Sequence, residues 1–334
     1  MVIFSKGVIT MKLSVVIPMY NEEEMILLTH ETVSKVLTEI SQKFKAEQNK
    51  EVELEFVYIN DGSKDKTLPL LKELAKSDSR VKYISFSRNF GKESGILAGF
   101  QYATGDAVVL MDGDLQHPPQ VVEEMLTGYF EGYDIVSARR SREGEGKIDS
   151  FFSQHFYKVF NSLMDVHISE GVSDFRLLSR NVVDSILSLP EYNRFTKGLV
   201  SWVGYKEKII EYENQVREGG STKFGLKNKL NYAIDAFLSF NDRPLRICVN
   251  LGLICVSLGV LYLLWHFIIW LIDPSRLISG YFTTLFAIVL FGGVQLISIG
   301  ILGEYIGKIY YEVKRRPHFI VEETNIQVKD KELR

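Results

Sequence analysis

Up to about Arg139 the chain alternates between two kinds of apolar pattern. "KLSVVIP" (12–18) is a short, β-branched run closed by Pro18, as expected of a parallel strand buried on both faces. Behind it the spacing changes to helical: Met25, Leu28, Val33, Val36, Leu37 and Ile40 share one face, with Asn21 as the expected N-cap. The same reading gives strands at 53–61, 81–87 and 106–112, helices at 65–77 and 92–103, and a strand at 133–139 that closes the series. Strands alternating with helices predict an α/β domain on a mainly parallel sheet, with ligands at the C-terminal ends of the strands.

From Phe151 the pattern is different. "FFSQHFYKVFNSLM" and "KNKLNYAIDAFLSFNDRP" (227–244) are amphipathic and aromatic-rich, and fit either core-facing or membrane-interface helices. Ile247 to Ile272 and Gly280 to Gly303 are then almost wholly apolar, and each exceeds the roughly 20 residues that a membrane-spanning helix needs. Arg243 and Arg246 precede the first, and Lys308, Lys314, Arg315 and Arg316 follow the second, so the positive-inside rule places both ends in the cytoplasm. The expected organisation is a soluble domain over 1–226, a juxtamembrane helix over 227–244, two spans within 245–307 and a tail over 308–334. Residues 1–10 read as an upstream start or an extension ahead of Met11.

Composition adds exclusions. A net charge of −3 gives no nucleic-acid footprint. The two cysteines, Cys248 and Cys255, lie within the apolar part at no metal-knuckle spacing and read as small hydrophobes. Gly292, Gly293, Gly300 and Gly303 suit close helix packing and a homo-oligomer.

The chemistry lies in four polar strand ends: "YNEE" (20–23), "NDGSKD" (60–65), "SRNFGKE" (87–93) and "DGDLQH" (112–117). Neither GxGxxG nor GxxxxGK[ST] occurs, so dinucleotide and Walker-type phosphate binding are unsupported. Asp112 and Asp114, one residue apart, fit either a solvated turn or a metal clamp.

"VVIPMYNEEE", "YINDGSKDKT", "SRNFGKESGILAGFQYATGDAVVLMDGDLQHPP", "GVSDFRLLSR" and "REGGSTKF" together resemble the family 2 glycosyltransferases of GT-A fold, and among them the polyprenyl-phosphate glycosyltransferases. The resemblance covers about residues 11–316 and implies a nucleotide sugar as donor, a polyprenyl phosphate lipid as acceptor and a divalent metal, Mg²⁺ or Mn²⁺. Asp112, Asp114 and, less firmly, Gln116 become the metal clamp, because hard cations take oxygen ligands. Gly113 stands where alanine is common in the family.

Pro18, Tyr20, Glu22 and Asp61 are then candidates for the nucleotide, alongside a turn made by Asn60 and Gly62, with Lys92 a further donor contact. Arg217 belongs to a loop that in the family closes over the donor diphosphate. Arg139 and Arg142, helped by Ser153 and Tyr157, are candidates for the acceptor phosphate. Asp174 stands where many relatives keep a general base. An acceptor phosphate already ionised near neutral pH (second pKa ~6) favours a positioning role instead.

The expectation is therefore a multi-pass enzyme of the plasma membrane with its catalytic domain in the cytoplasm, transferring glucose from UDP-glucose to undecaprenyl phosphate with inversion. UDP-GlcNAc and UDP-galactose are open alternatives. A processive polysaccharide synthase is less suited, lacking a Q-x-x-R-W motif here. A non-catalytic scaffold would be favoured by loss of Asp112 or Asp114, and both are present.

Overall fold

A computed structural model describes residues 9–140, 171–212, 243–273 and 280–327. The chain forms two units, one holding the sheet and its helices, the other the two apolar helices.

Among the described residues the sheet has eight strands, β1 (Ile9–Met19), β2 (Lys50–Asn60), β3 (Val81–Phe86), β4 (Ala107–Leu110), β5 (Ile135–Arg140), β6 (Val172–Ser179), β7 (Glu207–Tyr212) and β8 (Val321–Thr324), in the order β7-β5-β6-β4-β1-β2-β3-β8. Its centre is β1, paired in parallel with β2 and β4, and β2 carries β3 in parallel. Connecting helices are α1 (Ile26–Gln48), α2 (Thr67–Ser77) and α3 (Lys92–Tyr102). Then follow α4 (Val121–Phe130), β5, β6, α5 (Arg180–Ser188), α6 (Thr196–Trp202) and β7.

Leu13, Val15 and Ile17 on one face of β1 share a core with Val33, Leu37 and Phe44 of α1 and with Met125 of α4. Val16 points the other way, as strand alternation requires, and there α3 comes so close that a Cβ on Gly99 would meet Val16 Cγ1 at 2.1 Å. All these strand residues are fully buried, which accounts for their uninterrupted apolar sequence.

Three sequence expectations need correction. Asn21 does not cap α1, which begins at Ile26. It adopts φ 51 and its Oδ1 accepts a hydrogen bond from Lys64 N (2.8 Å), so its side chain ties two loops together instead. The strand at 133–139 does not close the sheet. β6 enters antiparallel between β4 and β5, and β7 adds beyond β5 in parallel. The segment expected only as a tail contributes β8 (Val321–Thr324), antiparallel to β3.

That return is well anchored. Phe319 stacks on Phe86 (4.8 Å between centroids), and Ser87 N donates to Ile320 O (3.1 Å). Tyr83 N donates to Asn325 Oδ1 (2.8 Å), and Tyr83 Oη donates to Glu323 Oε1 (2.8 Å). Partial burial and the Glu323 carboxylate push the Tyr83 hydroxyl up to about 12.

The second unit consists of α7 (Arg243–Ile272) and α8 (Tyr281–Lys314), both long and apolar enough to cross a membrane. Their apolar side chains point outward, with Leu263 68%, Ile272 78% and Leu296 72% exposed. A Leu or Ile kept in water forgoes about 1.5–3 kcal/mol against burial, so this surface calls for an apolar surrounding. The amphipathic stretches 151–164 and 227–242 lie outside the described residues.

Candidate active site

Four loops meet at the C-terminal ends of β1 to β4, and hydrogen bonds tie them to one another. Asn21 N donates to Ser63 Oγ (2.9 Å), Glu22 N to Thr67 Oγ1 (3.0 Å) and Glu23 N to Asp65 Oδ2 (3.1 Å), which joins the first loop to the second. Asp61 joins the second to the third: its Oδ1 accepts from Phe90 N (2.6 Å) and its Oδ2 from Gly91 N (2.9 Å). Burial pushes the Asp61 carboxyl up despite those two bonds. Gly62 is required at this crossing, since it holds φ +63 and a Cβ there would lie 2.2 Å from Arg88 C.

At the centre stands Lys92, the first residue of α3. Its ammonium lies 2.7 Å from Asp112 Oδ1 and 3.1 Å from Oδ2, and it donates to Asp174 Oδ2 at 2.8 Å. Asp112 follows β4, while Asp174 lies near the start of β6. The antiparallel pairing of β4 with β6, with Leu110 opposite Arg176, brings two carboxylates 62 residues apart in sequence to one ammonium. Lys197 of α6 adds a second cation, 3.8 Å from Asp174 Oδ1.

Burial works against the charge of Asp112, but the Lys92 ammonium, with the His117 ring nearby, outweighs it and holds the carboxyl well below the usual range. Burial opposes ionisation of Asp174 too, and Lys92 and Lys197 again prevail and lower it. Desolvation pulls the Lys92 ammonium down, while the two carboxylates push it up further, so all three groups are charged at neutral pH.

The loop after β4 shapes the rest. Asp114 Oδ1 accepts from Gln116 N (3.1 Å), and Leu115 between them takes φ 56, so the turn reading of "DGDLQH" is correct as far as it goes. His117 was unassigned from sequence. Its ring stacks on Phe175 (5.1 Å), its Nδ1 shares a hydrogen bond with Tyr212 Oη (2.6 Å), and its Nε2 lies 3.7 Å from Asp112 Oδ2. Glu93 is a second residue that sequence reasoning missed. Its Oε2 accepts from Thr196 N (2.9 Å) and Thr196 Oγ1 (2.5 Å), which seats the start of α6 and so Lys197 beside the site.

Of the expected site residues, Asp112, Asp174 and Lys92 come together directly. Pro18, Tyr20, Glu22 and Asp61 lie at the ends of the paired strands β1 and β2 and the loops behind them, and Asp114 and Gln116 on the β4 loop. Arg139 of β5 donates to Glu211 Oε1 of β7 from Nε (3.1 Å) and Nη2 (2.5 Å). Arg142, Ser153, Tyr157 and Arg217 lie outside the described residues.

Among the described residues no three His, Cys, Asp or Glu side chains converge as a ready-made metal cage. The donor set is nevertheless of the kind that Mg²⁺ and Mn²⁺ use, carboxylates and an amide oxygen on one loop. The Lys92 ammonium rests against Asp112 and offsets its charge, while Asp114 on the same loop has no such cation beside it among the described contacts.

Comparison with known proteins agrees with the motif reading. The family described as Glycosyl transferase family 2 matches residues 14–187, and the family described as GtrB C-terminal hairpin matches residues 243–309. The "Putative glycosyltransferase CsbB" of Bacillus subtilis (strain 168) is 46% identical over 95% of this chain and 93% of its own length. The "Prophage bactoprenol glucosyl transferase homolog" of Escherichia coli (strain K12) is 42% identical over 93% of this chain and 98% of its own. The "Bactoprenol glucosyl transferase" of Shigella phage SfII is 42% identical over 94% of this chain and 99% of its own. With the mainly parallel sheet, the clustered strand-end carboxylates and these matches in hand, the chain belongs to glycosyl transferase family 2, the enzymes of GT-A fold.

Proposed function

We propose that this glycosyltransferase moves a hexose, glucose in the first instance, from a UDP-sugar to undecaprenyl phosphate, with inversion at the anomeric carbon. The observation that carries the reading is the meeting of Asp112, Asp174 and Lys92 at the strand ends of a chain that also holds two membrane-length apolar helices. The printed names of relatives 42% identical over almost the whole chain support a polyprenyl acceptor and a glucosyl donor.

In this account Pro18, Tyr20, Glu22 and Asp61 line the place of the uracil and ribose, with Asp61 also fixing the 87–91 loop beneath them. Asp112, Asp114 and Gln116 would hold a divalent metal, which when bound neutralises charge growing on the departing diphosphate. Asp174 orients hydroxyls of the donor sugar. It is not required as a base, because the acceptor phosphate (second pKa ~6) arrives largely ionised. Arg139 provides a guanidinium for that phosphate, exchanging its partner Glu211 for it.

The apolar helices are read as a membrane anchor, with the basic residues at both ends placing the catalytic unit and both termini in the cytoplasm and the connector outside. The whole would be a plasma-membrane enzyme supplying a lipid-linked sugar for cell-envelope glycans. The test is to incubate purified protein with undecaprenyl phosphate and radiolabelled UDP-glucose, UDP-GlcNAc or UDP-galactose. Labelling of lipid from UDP-glucose above the others supports the reading. Preference for another sugar corrects the donor, and no labelled lipid from any of them rejects the acceptor.

A further inference from the structure

Lys92 lies across both oxygens of Asp112, at 2.7 and 3.1 Å, and on Asp174 at 2.8 Å, yet its side chain is 41% exposed. The ammonium therefore takes up contacts on both oxygens of Asp112 for which a metal ion would compete. A Mg²⁺–oxygen contact is about 2.0–2.1 Å long, and a divalent ion that close would be pressed against an ammonium on the same carboxylate. A metal ion and the ammonium would therefore compete for the charge of Asp112, each weakening the other's hold. Lysine is suited to exchange, being a point charge on a flexible four-carbon stem with no fixed fork to satisfy. Its exposed flank lies at the strand ends, where a donor diphosphate would offer it a new anionic partner.

We infer that Lys92 is a tethered cation that holds Asp112 and Asp174 together in the donor-free enzyme and surrenders Asp112 to the metal only when a nucleoside diphosphate draws the ammonium away. This inference rests on the proposed metal and donor reading of the same site. It makes metal and nucleotide binding mutually reinforcing, since whatever binds Lys92 releases Asp112, and the coupling acts equally in both directions.

Direct binding of Mn²⁺ to the full-length protein in detergent, followed by electron paramagnetic resonance with and without UDP, tests this without reference to turnover. In the wild type, UDP should tighten Mn²⁺ binding by about tenfold or more, within the usual range of coupling between sites. Lys92→Met and Lys92→Gln, checked for cooperative melting, should bind Mn²⁺ about tenfold tighter than wild type without UDP, and UDP, which still offers the metal its diphosphate oxygens, should tighten binding clearly less than in the wild type. Lys92→Arg, which keeps the charge, should not show the tighter UDP-free Mn²⁺ binding of the neutral variants. Uncoupled binding in the wild type overturns the inference whatever the variants do. So does unchanged or weaker Mn²⁺ binding in Lys92→Met. Failure of the metal reading has a different signature: Asp114→Asn would bind Mn²⁺ as well as wild type does with UDP present.

Discussion

Asp112 and Asp114 look alike in sequence and differ in the structure. Asp112 is held by Lys92 and approached by His117, whereas Asp114 folds back on its own loop through Gln116 N. Removing the charge of Asp114 should therefore cost chemistry and leave the fold alone. Asp114→Asn is expected to lose roughly a hundredfold or more in transfer rate with an unchanged melting temperature, as measured by lipid labelling and thermal unfolding. Gly113 makes the opposite case: a Cβ there would lie 2.6 Å from Met19 Cε and Sδ, the far end of a flexible side chain. Gly113→Ala should keep near-normal turnover, as Met19 moves aside.

The charges of the cluster also set an acid limit. Asp112 and Asp174 are depressed below their unfolded values, so their contribution to stability is full above about pH 5 and is lost as pH falls through the folded values. A melting-temperature profile should begin to fall below about pH 5 and keep falling as the pH drops toward the folded values, and less steeply in Lys92→Met, where the depressing charge is gone. At this scale the sequence singled out Asp112 and Asp114 through the family motifs around them, because two acids after a buried strand, taken alone, fit a turn as well as a metal clamp. It hid Lys197, Glu93 and His117, whose roles depend on contacts made across the sheet with Asp174, Thr196 and Tyr212.

The strands and helices up to Leu110 were legible because each strand is buried on both faces and each helix shows its own period. The order of the strands beyond β4 was not. "GVSDFRLLSR" has the residues of a strand, but nothing local says that it runs antiparallel and inserts between β4 and β5. Nor does "FIVEET" announce an edge strand 235 residues or more after the strand it joins. β8 is nonetheless an element with consequences, because it covers the β3 edge and because Phe86, beneath Phe319, also contacts Phe90 of the donor loop at 5.8 Å. Phe319→Ala should lower stability by roughly 1–3 kcal/mol, seen as a reduced urea midpoint with an unchanged slope. The same variant should raise KM for the donor more than it lowers kcat. By contrast Gly62→Ala, which combines strain at φ +63 with a backbone clash at Arg88, should disable donor binding outright.

For the molecule as a whole, the charged sheet unit and the exposed apolar helices suit two environments, one aqueous and one apolar. The reading of a lipid acceptor unites them, since a polyprenyl phosphate has one end for each. The most direct test is transfer of radiolabel from UDP-[¹⁴C]glucose into organic-phase lipid by the purified full-length protein with undecaprenyl phosphate and Mg²⁺, beside Asp112→Asn. The account predicts label in the lipid phase that requires both undecaprenyl phosphate and Asp112. Label that forms equally without the lipid acceptor, or that Asp112→Asn makes at the wild-type rate, would contradict it.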